Sequence, residues 1–344
     1  MMPILLYARR HGVALIMTLL ILMILVTLVG QLSYSTKIDY YTAQNNQDEL
    51  QTRSALQSAV CQAIAYLQLD YLQEKESREK FDALGDAWNK SHKLQLGNTD
   101  VTYTISDENA KFNLVNLLKE PKKQEGEEGQ NPNPDKSLTY PEQFVRLVGL
   151  LQDKHKLVEP EELKDNILAW LKEKSGKTEL EGPFLAKIPV LSVKELLLVK
   201  GITPMLLYGG TDKAGEKLAG MIAYFTVWSD GKVNINTAPA KLLQSLSSDL
   251  DADLAKRIVD YRDKPGNDGA KDVFKKEDEI KKVEGIAPDG VPDPVYDKIK
   301  DLITVRSHYF TIHAVAVSGR ITKKMTVVVY RSGKRVHKLF CDEE

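Results

Sequence analysis

Oxygen-bearing side chains are concentrated in one short stretch of the sequence, DKPGNDGAKD, which covers residues 263–272. Its carboxylate and amide groups belong to Asp263, Asn267, Asp268 and Asp272. Such hard oxygen ligands are those that Ca²⁺ binds in proteins. An ordinary turn built from Asn, Asp and Gly explains the same residues equally well. The stretch is therefore a candidate calcium site with a purely structural alternative.

Residues that could carry out catalysis are not arranged in a recognised pattern. The sequence has no G-x-S-x-G, no H-E-x-x-H and no phosphate-binding loop, and its 6 histidines show no metal-ligand spacing. The 2 cysteines, Cys61 and Cys341, form no C-x-x-C motif, and whether they pair stays open. We therefore expect a protein that is not an enzyme.

The charge balance excludes a general attraction to nucleic acid. The chain has 47 basic and 48 acidic residues, which give a net charge of -1. Contact with phosphates would therefore require a local basic patch. With 344 residues, of which 42% are hydrophobic, the chain is long enough for about two domains with ordinary cores.

An apolar run near the start of the chain requires a different environment from the rest. Polar residues interrupt the sequence from Val13 to Leu32 at only a few positions. As a helix this run would be about 30 Å long, which spans the hydrocarbon core of a bilayer. The basic flank RRH precedes it, and Lys37 is the one basic residue among the ten that follow. This asymmetry predicts that the amino end stays in the cytoplasm. A cleaved secretory signal fits less well, because the following GQLSYST is a poor small-x-small site.

The helical pattern continues beyond the apolar run. A set of apolar residues recurs at spacings of three and four, on one stripe of a helix: Leu56, Val60, Ile64, Leu67 and Tyr71. No proline occurs between residues 13 and 80, so a single helix of about 60 residues is predicted. On these residues alone, an anchor followed by a separate core helix is an equal alternative.

The basic leader that ends in Gly12, the apolar helix that begins at Val13 and its amphipathic continuation resemble type IV pilin-like proteins. The resemblance implies that a prepilin peptidase cuts between Gly12 and Val13. Most such proteins have Glu at the fifth mature position, which here is Met17. In a pilus that carboxylate is thought to meet the amino terminus of the subunit above. A charge at the centre of a bilayer costs about 2.5–3.5 kcal/mol, so a subunit with no other subunit above it has no use for this charge. The missing carboxylate is a feature of the K-type minor pseudopilins of type II secretion.

Strand patterns flank a helical region. Alternating apolar residues predict a strand near 100–105. They also predict a carboxyl-terminal meander over 309–317, 321–330 and 335–340. Residues 118–141 are rich in charge, Gly, Pro and Asn, which is typical of a loop.

The region from residue 142 to about 221 shows helical spacing. Ser192 and Glu195 form a capping-box pattern there, and Trp170 shares a predicted core face with Ile167. We expect this region to be an all-helical insertion.

The stretch from residue 231 to 286 is similar to two families. Its opening VNINTAP and its later YR and GI positions occur in K-type pseudopilins, and much the same order occurs in helix-hairpin-helix DNA-binding modules. Such a module holds phosphate through glycine backbone N–H groups at a helix start. The first hairpin here, LSSDLDADLAK, has 3 Asp and no Gly. Those carboxylates would repel phosphate, so a membrane-anchored DNA receptor of the competence type is the second hypothesis. The apolar residues of the stretch are predicted to close a compact helical unit: Leu242, Leu243, Leu246, Leu254, Ile258, Tyr261, Phe274, Ile280 and Val283.

The resemblance to K-type pseudopilins covers most of the chain and implies an α+β fold. That fold has a long N-terminal transmembrane and amphipathic helix, a pilin-like antiparallel sheet and an inserted all-α domain. The expected division is a leader at 1–12, the transmembrane part at 13–36, a first pilin-like part at 37–118, the insertion at 119–222 and a second pilin-like part at 223–344.

The same resemblance implies a location and partners. The chain would cross the inner membrane once, with its carboxyl-terminal part in the periplasm, and would cap the tip of the pseudopilus. Its partners would be the I-, J- and H-type minor pseudopilins, the prepilin peptidase, the inner-membrane assembly platform and secreted cargo, with no nucleic acid. Members of the family are said to bind calcium, the one cofactor expected here, for which residues 263–272 supply candidate ligands.

Overall fold

A single helix, α1, runs from Leu5 to Ser77 at the start of the chain. The computed structural model describes residues 5–77, 80–119, 137–152, 155–175, 189–211, 215–264, 272–283, 286 and 294–344. The absence of proline from residues 13–80 explains why the helix is continuous across the apolar and the amphipathic parts. The prediction of one long helix, rather than an anchor and a separate core helix, is confirmed.

Shorter helices follow in the middle of the chain. They are α2 (Tyr140–Gln152), α3 (Pro160–Ser175), α4 (Pro204–Tyr208), α5 (Ala240–Ser245), α6 (Ala252–Asp263) and α7 (Pro294–Ile299). Short 3₁₀ helices occupy Ala87–Asn89, Glu108–Ala110, Leu114–Leu118, Val193–Leu198, Met221–Ala223 and Glu277–Lys282.

The strands are short except for those of one sheet. They are β1 (His92–Leu96), β2 (Thr99–Asp107), β3 (Phe112–Asn113), β4 (Gly209–Thr211), β5 (Lys217–Ala219), β6 (Phe225–Thr226), β7 (Val233–Asn234), β8 (Ile303–Thr304), β9 (Tyr309–Ser318), β10 (Ile321–Ser332) and β11 (Arg335–Glu343).

A five-stranded antiparallel sheet has the order β1-β2-β9-β10-β11. Strands β9, β10 and β11 are the predicted meander, and β2 contains the strand predicted at 100–105. In the register, Val101 on β2 lies opposite Ala316 on β9, so the small and branched side chains of both strands face the same side. The other strands form two-stranded pairs, β3 with β6, β4 with β5, and β7 with β8.

One hydrophobic core lies between the sheet and the second part of α1. Leu56, Val60 and Leu67 of the predicted stripe are buried there. The other two stripe residues, Ile64 and Tyr71, are half-buried. Three alanines on the same face of α1 are fully buried, Ala55, Ala59 and Ala63. Their small side chains allow the sheet to approach the helix axis closely.

A second core is built by α2 to α6 and by the loops between them. It joins residues on both sides of the boundary expected at residue 222, because α2 packs on α5. Arg146 of α2 donates from Nε to the carbonyl of Gln244 at 2.9 Å, and Lys241 donates to the carbonyl of Leu150, also at 2.9 Å. The helical insertion and the helices that follow it therefore share one hydrophobic interior.

Among its described residues, the insertion departs from the all-helical expectation in one place. Strands β4 and β5 form a small antiparallel hairpin within it. A Cβ on Gly209 would lie 2.6 Å from backbone atoms and one on Gly220 only 2.2 Å from the carbonyl carbon of Tyr208. This close backbone approach requires glycine at both positions, and strands of three residues are too short to show an alternating pattern.

Two local predictions in the insertion have different outcomes. The capping box of Ser192 and Glu195 is confirmed, although the segment that it begins is a 3₁₀ helix of 6 residues. Ile167 is fully buried as predicted, whereas Trp170 is half-buried at the edge of the core. The Nζ of Lys174 lies 5.6 Å from the centre of the Trp170 ring.

Candidate functional site

The first part of α1 projects from the folded body with its apolar side chains exposed. Every large apolar side chain from Val13 to Leu32 is at least 53% exposed. Among the described residues one helix is long and apolar enough to cross a membrane, and the mean hydropathy of its apolar window is 2.9. From Gly12 onward, the first buried side chain along α1 is that of Thr52. From Val13 to Asp48, the first half-buried residue, the helix extends for about 52 Å without cover from the rest of the chain.

The residues predicted to matter for leader cleavage lie on this projecting part. A Cβ on Gly12 would meet nothing within 4 Å, so the folded body leaves the Gly12–Val13 bond open to an enzyme. Met17 is 60% exposed. The first acidic residue of the chain is Asp39, so no carboxylate lies on the apolar part of the helix. Cleavage after Gly12 and the role of Met17 stay predictions.

The other end of α1 is tied to the sheet by a buried cluster of charges, which we call the polar junction. Its residues are Asp70, Glu74, Asp82, Asp86, Asp107, Asn234, Arg306, Ser307 and Arg331. These residues are spread over more than 250 positions, and no sequence motif predicted that they would meet.

Arg331 of β10 is the centre of the polar junction. Its Nη1 donates to the carboxylate of Asp70 on α1 at 2.7 Å, and its Nη2 donates to Asp82 and to the carbonyl of Ser307. Glu74 lies 3.7 Å from the guanidinium and receives a second cation, Arg306, at 2.9 Å. Since Arg331 is only 2% exposed, these ion pairs lie in a region from which water is excluded.

The polar junction contains more acidic than basic side chains. Burial, together with repulsion from Asp82, raises the pKa of Asp70 to about 6 and that of Glu74 to about 7. Burial also raises the pKa of Asp86 to about 7. Burial opposes the charge of Arg331, but the surrounding carboxylates outweigh it and raise the pKa of the guanidinium. The junction therefore holds its arginine charged while its excess carboxyl groups protonate near neutral pH.

The polar junction extends into the helical core through Asn234. The side-chain NH₂ of Asn234 donates to the carbonyl of Asp82 at 3.1 Å, to Asp107 at 3.2 Å and to the Ser307 hydroxyl at 2.8 Å. Thr237 donates to the same carboxylate of Asp107 at 2.5 Å. Burial raises the pKa of Asp107 to about 7, against the effect of these hydroxyl donors. Asn234 and Thr237 belong to the VNINTAP motif, so this motif joins the helices to the sheet.

A neighbouring residue of the motif holds the helical unit closed. Asn236 donates to the carbonyl of Phe274 at 2.8 Å and accepts from its N–H at 2.9 Å. Phe274 is fully buried and stacks on Tyr261 of α6. The predicted apolar residues of this unit are buried except for Tyr261, which is half-buried. The prediction of a compact helical unit is confirmed.

Three aspartates of the polar junction lie close enough together to bind a metal ion. In the described part of the chain, ligand oxygens of Asp70, Asp82 and Asp86 lie within 4.8 Å of one another. Arg331 bonds to the first two, so the protein supplies its own cation there.

The predicted calcium stretch is described only at its two ends. The N–H of Asp272 donates to the carbonyl of Lys264 at 3.0 Å, next to Asp263 at the end of α6. Asn267 and Asp268 lie outside the described residues, and the calcium site stays a prediction. Cys61 and Cys341 are both exposed and free in this structure.

The helical unit matches a known family. The family model of the type II secretion system (T2SS), protein K matches residues 233–291. The match begins at Val233, the first residue of the VNINTAP motif, and includes α5 and α6. No curated protein sequence matches the chain.

The fold agrees with this match. It is similar to a chain in the crystal structure of the GspK-GspI-GspJ complex from the type 2 secretion system of enterotoxigenic Escherichia coli, with a TM-score of 0.59 and 16% sequence identity. The likeness covers 88% of this chain and 99% of that chain. The resemblance to the K-type minor pseudopilins is confirmed. The α+β fold class is confirmed with it, and the VNINTAP motif is one part of this chain that links the helices to the sheet.

Proposed function

We propose that this chain is a minor pseudopilin that caps the tip of the type II secretion pseudopilus and acts in protein export as a structural subunit, not as an enzyme. The observation that carries the proposal is the exposed helix from Val13 to Leu32, which is apolar on all sides and continuous with the folded body. A helix of this kind satisfies its backbone in lipid and can later exchange lipid for the helices of a fibre.

The location follows from the charges at the two ends of the apolar run. The basic flank RRH before it and the single Lys37 after it orient the chain with its amino end in the cytoplasm and its folded body in the periplasm. We propose a single-pass protein of the inner membrane that moves into the pseudopilus when the fibre assembles.

The proposed partners are the I-, J- and H-type minor pseudopilins, in keeping with the complex in which a similar chain occurs together with GspI and GspJ. The exposed face of α1 is the surface that they would cover. The prepilin peptidase and the inner-membrane assembly platform would act on the same helix before and during extraction.

The tip position is supported by two features of this chain. Met17 replaces the carboxylate that most pilin-like subunits use to meet the amino terminus of the subunit above. The helices and the hairpin of the insertion add bulk to the body, which would obstruct a subunit stacked on it.

Leader cleavage provides the direct test. In the variant Gly12→Ala we expect the uncut chain to accumulate in the membrane and secretion to be lost, as measured by gel mobility and by sequencing the amino terminus of the extracted protein. Gly30→Ala is the matched control, because Gly30 lies on the same exposed helix and a Cβ added to it would meet nothing within 4 Å. Normal processing of Gly12→Ala would contradict the proposal.

The tip position has its own test. In Met17→Glu a carboxylate enters the apolar run about 6 Å from its amino end, where an unpaired charge is costly, and a tip subunit has no amino terminus above it to pair with that charge. We expect secretion to fall in Met17→Glu and to be retained in Met17→Leu. Full secretion by Met17→Glu would show that the missing carboxylate does not determine the position of the subunit at the tip.

The start of α6, where phosphate would bind in a helix-hairpin-helix module, does not support the DNA-receptor hypothesis. The side chain of Asp251 accepts from the N–H of Leu254 at 2.8 Å and so caps the start of α6. A phosphate approaching this helix start would meet a carboxylate in place of free N–H groups.

A further inference from the structure

Three tyrosines lie on α1 just beyond the apolar run. Tyr34, Tyr40 and Tyr41 are 69%, 65% and 53% exposed. No other aromatic side chain occurs between residues 13 and 65 of the sequence. Beyond Val13, the aromatic rings of the projecting helix are therefore confined to one level, about 10 Å long, along its axis.

This level coincides with the end of a bilayer-spanning segment. A helix from Val13 to Leu32 covers the hydrocarbon core of about 30 Å, and Tyr34 begins about 3 Å beyond it. Helical side chains lean towards the amino terminus, so the rings of Tyr40 and Tyr41 extend back towards the membrane. All three rings therefore reach the layer of lipid headgroups.

The three tyrosines cover an arc of about 120°, which is a third of the helix circumference. Tyr34 and Tyr41 are seven residues apart and share a face, whereas Tyr40 is rotated by about 100° from Tyr41. The rings of Tyr40 and Tyr41 meet edge to face, with their centres 5.7 Å apart.

The polar atoms at this level have the chemistry that lipid headgroups require. Leu32, Ser33, Thr36, Lys37, Tyr40 and Tyr41 line one open groove. Tyrosine places an apolar ring against acyl chains and a hydroxyl among ester and phosphate oxygens. Lys37 adds an ammonium group that can reach a phosphate.

We propose that Tyr34, Tyr40 and Tyr41, with Lys37, anchor α1 in the outer headgroup layer and set the depth at which the chain stands in the membrane before it enters a fibre. This inference rests on the proposed membrane insertion. The helix from Tyr41 to Gln47 is exposed and about 9 Å long, and its first ion pair with the sheet joins Glu49 to Lys323, so the anchor also holds the folded domain clear of the lipid.

The test uses spin labels on the full chain in vesicles of phosphatidylethanolamine and phosphatidylglycerol. Cys61 and Cys341 are exposed and free, so both are replaced by Ser before single cysteines are placed at Leu22, Ser33 or Leu50. Depth is measured from collisions with oxygen, which partitions into lipid, and with a water-soluble nickel complex. We expect the Leu22 label deep in lipid, the Ser33 label at the headgroups and the Leu50 label in water.

The role of the tyrosines is tested in the same labelled chains. With Tyr34, Tyr40 and Tyr41 all replaced by Ala, we expect the Ser33 label to shift by roughly 3 Å or more in depth, which is the rise of two helical residues. Replacement of all three by Trp, which keeps an amphipathic ring, is expected to leave the depth unchanged.

The outcomes separate this inference from the function on which it rests. A Leu22 label in water would overturn the membrane insertion and the anchor with it. A deep Leu22 label, combined with an unchanged Ser33 depth in the Ala variant, would overturn the anchor alone. If the chain self-associates and neither oxygen nor the nickel complex reaches the Ser33 label, the anchor would also be overturned. The tyrosine face of α1 would then be assigned to contact with a neighbouring helix.

Discussion

The two halves of α1 have the same backbone and opposite environments. From Val13 to Leu32 the side chains are bulky, apolar and exposed, whereas from Thr52 to Leu67 the buried face is built largely from Ala, Leu and Val. The small side chains of Ala55, Ala59 and Ala63 let a sheet approach the second half. Bulky side chains on all sides of the first half suit a surrounding lipid or a bundle of helices. Helix formation and burial are thus separate properties of this segment.

The halves also differ in how they use charge. The apolar half carries no acidic residue, because an unpaired charge in lipid is costly. The covered half brings Asp70 and Glu74 into a water-excluded site, where Arg331 and Arg306 pair with them. One helix therefore carries two kinds of surface, an uncovered apolar one at one end and a polar junction with the sheet at the other.

The largest effect on stability is expected from removing the central cation of the junction. Arg331→Ala leaves the carboxylates of Asp70 and Asp82 without this cation, and breaking a buried ion pair in this way costs about 3–5 kcal/mol. Urea unfolding of the full chain in detergent micelles, followed by the fluorescence of the buried Trp88, measures this loss. Arg335→Ala on exposed β11 is the control. A loss no greater than that of the control would show that the junction does not hold the helix.

A matched pair of leucines on α1 tests the difference between its exposed and covered halves directly. Leu56→Ala empties a fully buried site and is expected to lower the free energy of unfolding of the folded body by about 2–5 kcal/mol. Leu22→Ala changes a side chain that is 63% exposed and should leave that free energy unchanged in micelles. Equal losses in the two variants would contradict the division of α1 into a free and a covered half.

The link between sheet and helices is tested by Asn234→Ala. The substitution removes the donor to Asp82, Asp107 and Ser307, and unsatisfied buried acceptors cost about 1–3 kcal/mol. Asn45→Ala on the exposed part of α1 is the control. We expect limited proteolysis of Asn234→Ala to release the helical unit sooner than in the control. Identical digestion of the two variants would contradict a linking role for the VNINTAP motif.

The smallest effect is a dependence of stability on pH. Burial raises the pKa of Asp86 from 3.8 to about 7, so between about pH 4 and pH 7 the folded chain holds a proton that the unfolded chain releases. The free energy of unfolding should therefore decrease as the pH rises through this window. Asp70, Glu74 and Asp107 act in the same direction.

The measurement compares urea unfolding at about pH 5 and pH 7.5. In Asp86→Asn, whose side chain does not titrate, the difference between the two pH values should shrink. Asp100→Asn, at an exposed position of β2, should keep the full difference. A chain that becomes more stable as the pH rises would contradict the excess of acidic groups in the junction. Glu108 opposes the trend, because Lys111 and two hydroxyls outweigh burial and lower its pKa.

Local patterns predicted much of the architecture. The span and the stripe of α1, the β9 to β11 meander and the capping box at Ser192 each depend on residues close together in sequence. The hairpin of β4 and β5 was not predicted, because its signal is two glycines whose role appears only when their backbones meet. The core shared across residue 222 was also missed, since helical spacing shows which face is apolar but not which helix covers it.

The sequence by itself determined that α1 is long, where it is apolar and which of its faces could be covered, since these properties follow from side-chain periodicity and from the absence of proline. Only the tertiary structure decided that Arg331 meets Asp82, 249 positions away in the chain, and that Asn234 joins the sheet to the helices. Ion pairs between distant residues have no sequence pattern, because their geometry exists only after the sheet has packed on the helix and excluded water from between them.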